Sequence, residues 1–447
     1  MVDDLSSLCA EAATCVKSFS VSTRVRVISH YDADGCTAAS IVTQALHREG
    51  YRVHTTLMRN PFTQGLQRVK EENNELVIFT DMGSGQLSFI KEFPGKALII
   101  DHHQAPSQET GDRVLQINAN LCGINGNYEA CGASLSYTFA LALNKENKDL
   151  SALALVGMTG DKQYIGGIHG YNQTIVQEAL DHQVVTENIG MKLPGSTLSD
   201  ALYYSIDPYF SGLSGNTEAI KDFLQRLHLT EKSTIEDLSQ ENLRELHSTL
   251  LLLLLEKGCE ENILDTVIRK RYWAPAFRME AERFADLLDA CGKGGHRGLA
   301  LRLCLGDTSA YEEALTVEHE YKQTILQELL RLEHEGPREM NTFRYFYSTD
   351  SSLGGVIGGI AANFLFDREK PLISLVRKDD ELHVSCRGNQ YLVSHGLDLG
   401  RAMRESAEQL GGQGGGHQIA SGATIVADKE EEFLRLVDHV LSKQLEG

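Results

Sequence analysis

Residues 29–40, SHYDADGCTAAS, place His30, Asp32 and Asp34 within five positions and close the set with Gly35. Three other stretches repeat the theme: Asp81 in ELVIFTDMGSG, Asp101, His102 and His103 in KALIIDHHQ, and Asp161 in GMTGDKQ. A lone aspartate at such a point is more often a helix cap than a ligand, and adjacent histidines are more often surface or core residues. Taken together, the four stretches offer imidazoles and four or five carboxylates. Oxygen-rich sets of this kind suit two divalent ions, manganese first and magnesium second, and no thiol-rich set competes for zinc. Two ions sharing a carboxylate activate water and clamp a phosphate during in-line displacement. These residues therefore predict metal-dependent phosphoester hydrolysis.

Such groups meet only if the elements carrying them converge. RVRVIS, before His30, alternates and is β-branched, as a strand does, while Ala38, Ile41, Val42, Ala45 and Leu46 recur at helical spacing. Strands are predicted over 25–29, 51–57, 75–80 and 96–100, and helices over 132–144 and 149–158. Strands separated by crossover helices form a parallel sheet, whose C-terminal strand ends share one edge. The predicted class is α/β. Residues 1–207 form a doubly wound parallel-sheet domain, 208–290 an inserted helical module, 291–339 the end of the first domain with a connecting helix, and 340–447 a smaller α/β domain. In the module, Ser239 is a helix N-cap, and Leu243, Leu246, Leu250, Leu253 and Leu254 share a face. A long polar helix covers 310–335, and strands lie near 372–376 and 382–386.

The chain has 447 residues and a formal net charge of −20. That balance is unlike the basic footprint of most nucleic-acid proteins, although a local basic groove can coexist with an acidic body. Nine cysteines without a CxxC pair argue against a disulfide framework and a zinc ribbon, and for a reducing, cytoplasmic setting. The acidic opening MVDDLSSLCAEAATCV does not read as a signal peptide. The longest apolar run, Leu250–Leu255, is far below the ~20 residues of a membrane span, so no membrane partner is expected.

Two further features bear on substrate. In GGQGGGHQIASGA, Gly414, Gly415 and Gly416 expose backbone N–H groups that can cradle an anion, and His417 adds a donor; alone, such a run is a flexible turn. Arg387, after a predicted strand, can clamp a phosphate with both arms of its guanidinium. Arg269, Lys270 and Arg271 beside Tyr272 and Trp273 read either as a single-strand contact or as a solvated basic spot.

The series HxDxDG, D, DHH and GD, complete and in order, resembles the DHH phosphoesterase superfamily. The resemblance implies a first ion held by His30, Asp32 and Asp81, and a second by Asp34, Asp81, His102 and Asp161, with Asp81 as the bridge. It also implies that His103 faces the phosphate and that Asp101 orients a histidine. GGQGGGHQIASGA is similar to the glycine motif of the DHH-associated C-terminal domain, which binds nucleic acid. Over nearly the whole chain, the blocks DMGSGQLS, INANLCGINGNYEACGAS, YYSIDPYFSGLSG and DACGKGGHRGLALRLCLGD resemble the archaeal RecJ-like, GINS-associated nucleases. One departure stands out: Asp289 and Lys293 stand where bacterial RecJ has an NAxGR-like element.

This kinship implies a manganese-dependent exonuclease that releases mononucleotides from single-stranded DNA, 5′ to 3′, in DNA replication or repair. Its partners would be single-stranded DNA or RNA and a GINS or replicative-helicase complex docked on the insertion. Two alternatives belong to other classes. One is a small-molecule phosphoesterase acting on nanoRNA, 3′-phosphoadenosine 5′-phosphate or a cyclic dinucleotide. The other is a structural replisome subunit that binds GINS.

Overall fold

The computed structural model describes residues 2–59, 62–105, 110–193 and 195–445. Five segments form a wholly parallel sheet: β1 (Arg24–His30), β2 (Arg52–Met58), β3 (Leu76–Thr80), β4 (Lys96–Asp101) and β5 (Val114–Asn118), in the order β2-β1-β3-β4-β5. Their side chains alternate between faces. Val25, Val27, Leu76, Ile78, Leu98 and Ile100 enter one core, while Ile28, Val77, Phe79, Ala97 and Ile99 enter the other. With both faces covered, the central strands β3 and β4 read as apolar runs rather than a polar–apolar alternation.

The first of those cores is closed by α1 (Val2–Lys17), α2 (Ala33–Arg48), α3 (Gly132–Leu143) and α4 (Ser151–Gly160). The predicted strands and helices of this region match the observed ones to within two residues. β5 escaped prediction because it carries the polar Gln116 mid-strand.

The chain divides into two units, Met1–Gly190 with Arg269–Glu320, and Met191–Ile268 with Tyr321–Gly447. A small sheet of β6 (Thr186–Met191), β7 (Ile268–Ala274) and β8 (Met279–Glu280) lies where the chain leaves the first unit and returns. The expected boundaries at 208, 290 and 339 therefore do not coincide with the observed division. α5 (Ala281–Lys293) and α6 (Arg297–Cys304) bury Phe284, Leu287, Leu288, Leu299 and Leu303 in the core of the first unit. The helix Gln240–Glu256, capped by Ser239, instead buries Leu246, Leu250 and Leu254 with Ile325, Leu329 and Phe346 of the second. An amphipathic pattern shows that a helix has a buried face, but not which distant segment covers it.

The 25-residue helix α7 (Tyr311–Glu335) runs from one set of residues into the other. The second unit then builds a six-stranded mixed sheet, β13-β14-β12-β11-β10-β9. Its strands are β9 (Arg338–Glu339), β10 (Arg344–Tyr347), β11 (Leu372–Lys378), β12 (Glu381–Arg387), β13 (Gln413–Gly416) and β14 (Ala420–Val426). The helices α8 (Gly354–Phe364) and α9 (Leu399–Gln409) accompany it. Among the described residues, no helix is long and apolar enough to cross a membrane.

Candidate metal centre

The sequence-predicted acidic residues meet at one edge of the parallel sheet. His30 ends β1, Asp81 follows β3, Asp101 ends β4 with His102 and His103 behind it, and Asp161 caps the C-terminus of α4. Asp32 is the N-cap of α2, where its Oδ1 accepts from Gly35 N at 3.0 Å. Its Oδ2 takes the Nδ1 proton of His30 at 2.7 Å. One aspartate thus ends a loop, starts a helix and aims an imidazole.

Asp81 lies at the middle of the set. Its Oδ2 is 3.7 Å from His30 Nδ1, and its Oδ1 is 3.1 Å from His102 Nε2. Potential ligand atoms fall into overlapping groups, within each of which all lie within 4.8 Å of one another: His30, Asp32 and Asp81; Asp34, His102 and Asp161; and Asp81, His102 and His103. The residue also sits at φ +52°, a left-handed conformation that costs a non-glycine residue about 1 kcal/mol or more. Strain held at the residue shared between two donor groups is where a functional constraint outweighs local preference.

Each donor is fixed from behind. Asp34 is buried, with Oδ2 accepting from Gly132 N at 2.7 Å and Oδ1 from Ala133 N at 2.8 Å, at the start of α3. His102 Nδ1 donates to Gly126 O at 2.6 Å, which leaves Nε2 facing Asp81, Asp34 and Asp161. Gly126 O also accepts from Gln163 Nε2 at 3.0 Å. His103 Nδ1 is held by Asp101 Oδ1 at 2.8 Å, and its ring is more than half exposed. Asp101 itself is buried and accepts from the backbone N–H groups of Ser84, His102 and His103. It belongs to none of the donor groups and holds the His103 ring.

The electrostatics are those of carboxylates crowded together out of water. Burial, then Asp34 and Asp32, push Asp81 well above the usual carboxylate range. Burial and Asp34 lift Asp161 to about 7. Burial opposes the charged form of His102, yet Asp161 and Asp34 outweigh it and raise the ring to about 9. His103 is likewise pushed up to about 9, because Asp101 outweighs its burial. Burial also opposes ionisation of Asp32, but His30 overrides that and holds it below the ordinary range. Crowded oxygen and imidazole donors, none of them a thiol, fit a hard divalent cation, which would relieve the repulsion.

Sequence reading missed two glycines. A Cβ on Gly132 would lie 2.6 Å from Asp81 Cβ, and one on Gly157 would lie 2.5 Å from Asp34 Oδ1. The backbones of α3 and α4 approach the carboxylates so closely that only hydrogen fits. The visible signal was Gly157 in GMTGD, one turn before Gly160. Ser84 and Asn118 were missed too: Asn118 Nδ2 donates to Ser84 Oγ and to His103 O, tying down the loop after β4.

The C-terminal candidates differ from expectation. Gly414, Gly415 and Gly416 belong to β13, an edge strand paired antiparallel with β14, and not to an open turn. Such a strand leaves alternate N–H groups outward, so a cradle of three successive donors is absent there. Two of these glycines serve packing: a Cβ on Gly414 would lie 2.3 Å from Met403 O in α9, and one on Gly416 2.7 Å from Ala420 O. Only Gly415 faces open space. His417 follows on the exposed turn between β13 and β14. Arg387 ends β12, opposite Ala420 in register. Its guanidinium lies against the first turn of α8, where a Cβ on Gly355 would be 2.6 Å from Nη2. Nη1 donates to Cys386 O at 2.8 Å, and among the described residues no carboxylate pairs with it. Burial accordingly lowers its pKa. The basic spot at 269–271 is neutralised: Arg269 pairs with Glu282, Lys270 with Glu187 at 3.2 Å, and Arg271 with Glu280 and Glu282.

Comparison with known proteins follows the same division. The DHH family N-terminal domain matches residues 24–160, and the DHHA1 domain matches residues 343–443. An uncharacterized protein of Methanocaldococcus jannaschii is 30% identical over 94% of both chains. The chain belongs to the DHH family. Members of this family are metal-dependent phosphoesterases. This DHH chain is also 26% identical to the single-stranded-DNA-specific exonuclease RecJ of Bacillus subtilis, over 43% of its own length and 26% of RecJ. RecJ of Thermus thermophilus, solved with Mn2+, shares the fold at a TM-score of 0.62 and 18% identity, covering 98% of the DHH chain and 55% of RecJ. CDC45 of Entamoeba histolytica does so at 0.65 and 13%, covering 94% and 95% of the two chains.

Proposed function

We propose that this DHH protein is a two-metal phosphodiesterase that shortens single-stranded nucleic acid from an end. The observation that carries the reading is Asp81, which faces His30 with one oxygen and His102 with the other. His30, Asp32 and Asp81 would hold one ion, and Asp34, Asp81, His102 and Asp161 the other, with manganese or magnesium as the cation. When bound, such ions supply Lewis acidity and a water activated for attack on phosphorus.

The chain's own groups do the rest. Asp34, clamped by the start of α3, and His102, clamped by Gly126, keep their donor atoms in place without reorganisation. His103, held by Asp101, presents its exposed ring edge to a non-bridging phosphate oxygen and can donate a proton there. Arg387 and the turn at His417 would take a phosphate elsewhere on the strand, because among the described residues this guanidinium has no carboxylate partner.

The substrate is read as DNA cut 5′ to 3′, following the RecJ kinship. A GINS-type partner is assigned to the helical segment, where Leu252 and Leu255 remain exposed on the helix Gln240–Glu256. A complete donor set favours catalysis over a purely structural role. End-labelled DNA and RNA strands, digested with manganese or magnesium beside a dinucleotide, test the reading. Loss of one labelled end supports it, and strong preference for the dinucleotide overturns the strand specificity.

A further inference from the structure

In the first unit the buried and half-buried arginines meet carboxylates, and some exposed ones do too. Arg26 pairs with Glu72, Arg48 with Asp149, Arg269 with Glu282, Arg271 with Glu280, Arg283 with Glu318 and Arg302 with Asp307. Lys293, which stands at the NAxGR-like element, is paired with Asp289, and Asp289 is itself committed: its Oδ1 accepts from Ala33 N at 2.8 Å. That pair clamps α5 to the turn carrying Asp32 and Asp34, and leaves the lysine largely neutralised.

Among the described residues, one half-buried guanidinium of this unit breaks the pattern, Arg297, and the exposed Arg59 lies on the same ring. Arg297 lies 5.5 Å and Arg59 6.0 Å from the ring centre of Tyr31, and among the described residues neither pairs with a carboxylate. The Nε of Arg297 is buried and has no acceptor. Tyr31 directly follows His30, whose ring meets it edge-on at 4.6 Å. Its backbone is fixed as well, since a Cβ on Gly292 would lie 2.1 Å from Tyr31 O. A guanidinium attracted to a ring face keeps its in-plane N–H donors for another group. Arg297 is thus a half-buried guanidinium that no carboxylate answers among the described residues, set on the ring that adjoins His30 of the metal edge.

We propose that Arg297, seated with Arg59 on Tyr31, grips the phosphodiester next to the scissile one in a single-stranded nucleic acid, a role Lys293 is too neutralised to fill. This rests on the phosphodiesterase reading above and adds the residue that holds the strand at the metal edge.

The test measures kcat, KM and their salt dependence with manganese, on an end-labelled strand of about 20 nucleotides. Arg297→Ala should raise KM about ten-fold and leave kcat within about three-fold. It should also flatten the plot of log affinity against log salt by ~0.7, the signature of one lost phosphate contact. Arg297→Lys should restore the salt slope with only part of the affinity, Arg297→Glu should bind more weakly than the alanine variant, and Lys293→Ala should change the slope less than Arg297→Ala. Stabilisation by manganese in a melting experiment should persist in Arg297→Ala, showing an intact fold and metal edge. Wild-type cleavage together with an unchanged KM and slope in Arg297→Ala overturns this inference alone. A wild-type chain that neither cleaves nor binds the strand overturns the phosphodiesterase reading with it.

Discussion

The acidic edge of the first sheet and the glycine-rich end of the second invite comparison, because both were read from sequence as ligand sites. At the acidic edge every candidate donor is buried or held by another group, and Asp34 alone receives two backbone N–H groups from a segment 98 and 99 residues away. At the glycine-rich end, the run is an edge strand packed on α9, and the polar groups left over are Arg387 and the exposed turn at His417. The difference is one of preorganisation. A metal edge must fix charges that repel each other, so it is built from the core outward. A contact for a flexible, many-phosphate strand needs only an unpaired cation on a firm support.

If that contrast holds, damage at the first site should cost more than damage at the second. The largest effect belongs to Asp81→Asn. Asparagine tolerates the left-handed backbone, so the fold should persist, while manganese-dependent hydrolysis falls about a thousand-fold or more. Removing one of several crowded carboxylates should also raise the melting temperature of the metal-free protein while abolishing its gain with manganese. Melting curves with and without the ion check both signs.

Next comes Gly157→Ala. Alanine is ordinarily the better helix residue, yet here its methyl would press on Asp34. Manganese affinity, measured by calorimetry, should fall about 10- to 100-fold, the range seen when groups supporting a ligand are disturbed. An affinity like wild type would show that Asp34 can move freely.

Asp101→Asn sharpens the account of His103. The carboxylate holds the ring's pKa near 9 in the metal-free protein, so its loss should let the cationic form disappear at lower pH. Titration by NMR reads that shift directly, and turnover should drop about ten-fold. The smallest effects fall on the second unit. Arg387→Ala should raise KM about ten-fold and His417→Ala less, with metal stabilisation unchanged in both.

Much of this was visible in the sequence, and the pattern of what was not is physical. Strand-end aspartates, the DHH triplet and the helix after His30 are local signals, read from residues within one element and its turn. What escaped depends on pairs far apart in the chain. Gly132 and Gly157 reveal themselves only when α3 and α4 are laid against Asp34 and Asp81. Arg269 and Arg271 look like a basic patch until β8 and α5 bring Glu280 and Glu282 beside them. The glycine run looked like a loop because strand propensity disfavours glycine, and pairing with β14 overrode that preference.

The proposed site turns on Asp81, one carboxylate serving two ions. Anomalous diffraction from crystals soaked in manganese measures it directly. Two peaks are expected, one among His30, Asp32 and Asp81 and one among Asp34, His102 and Asp161, with Asp81 touching both. A single peak, or none at Asp81, would contradict it.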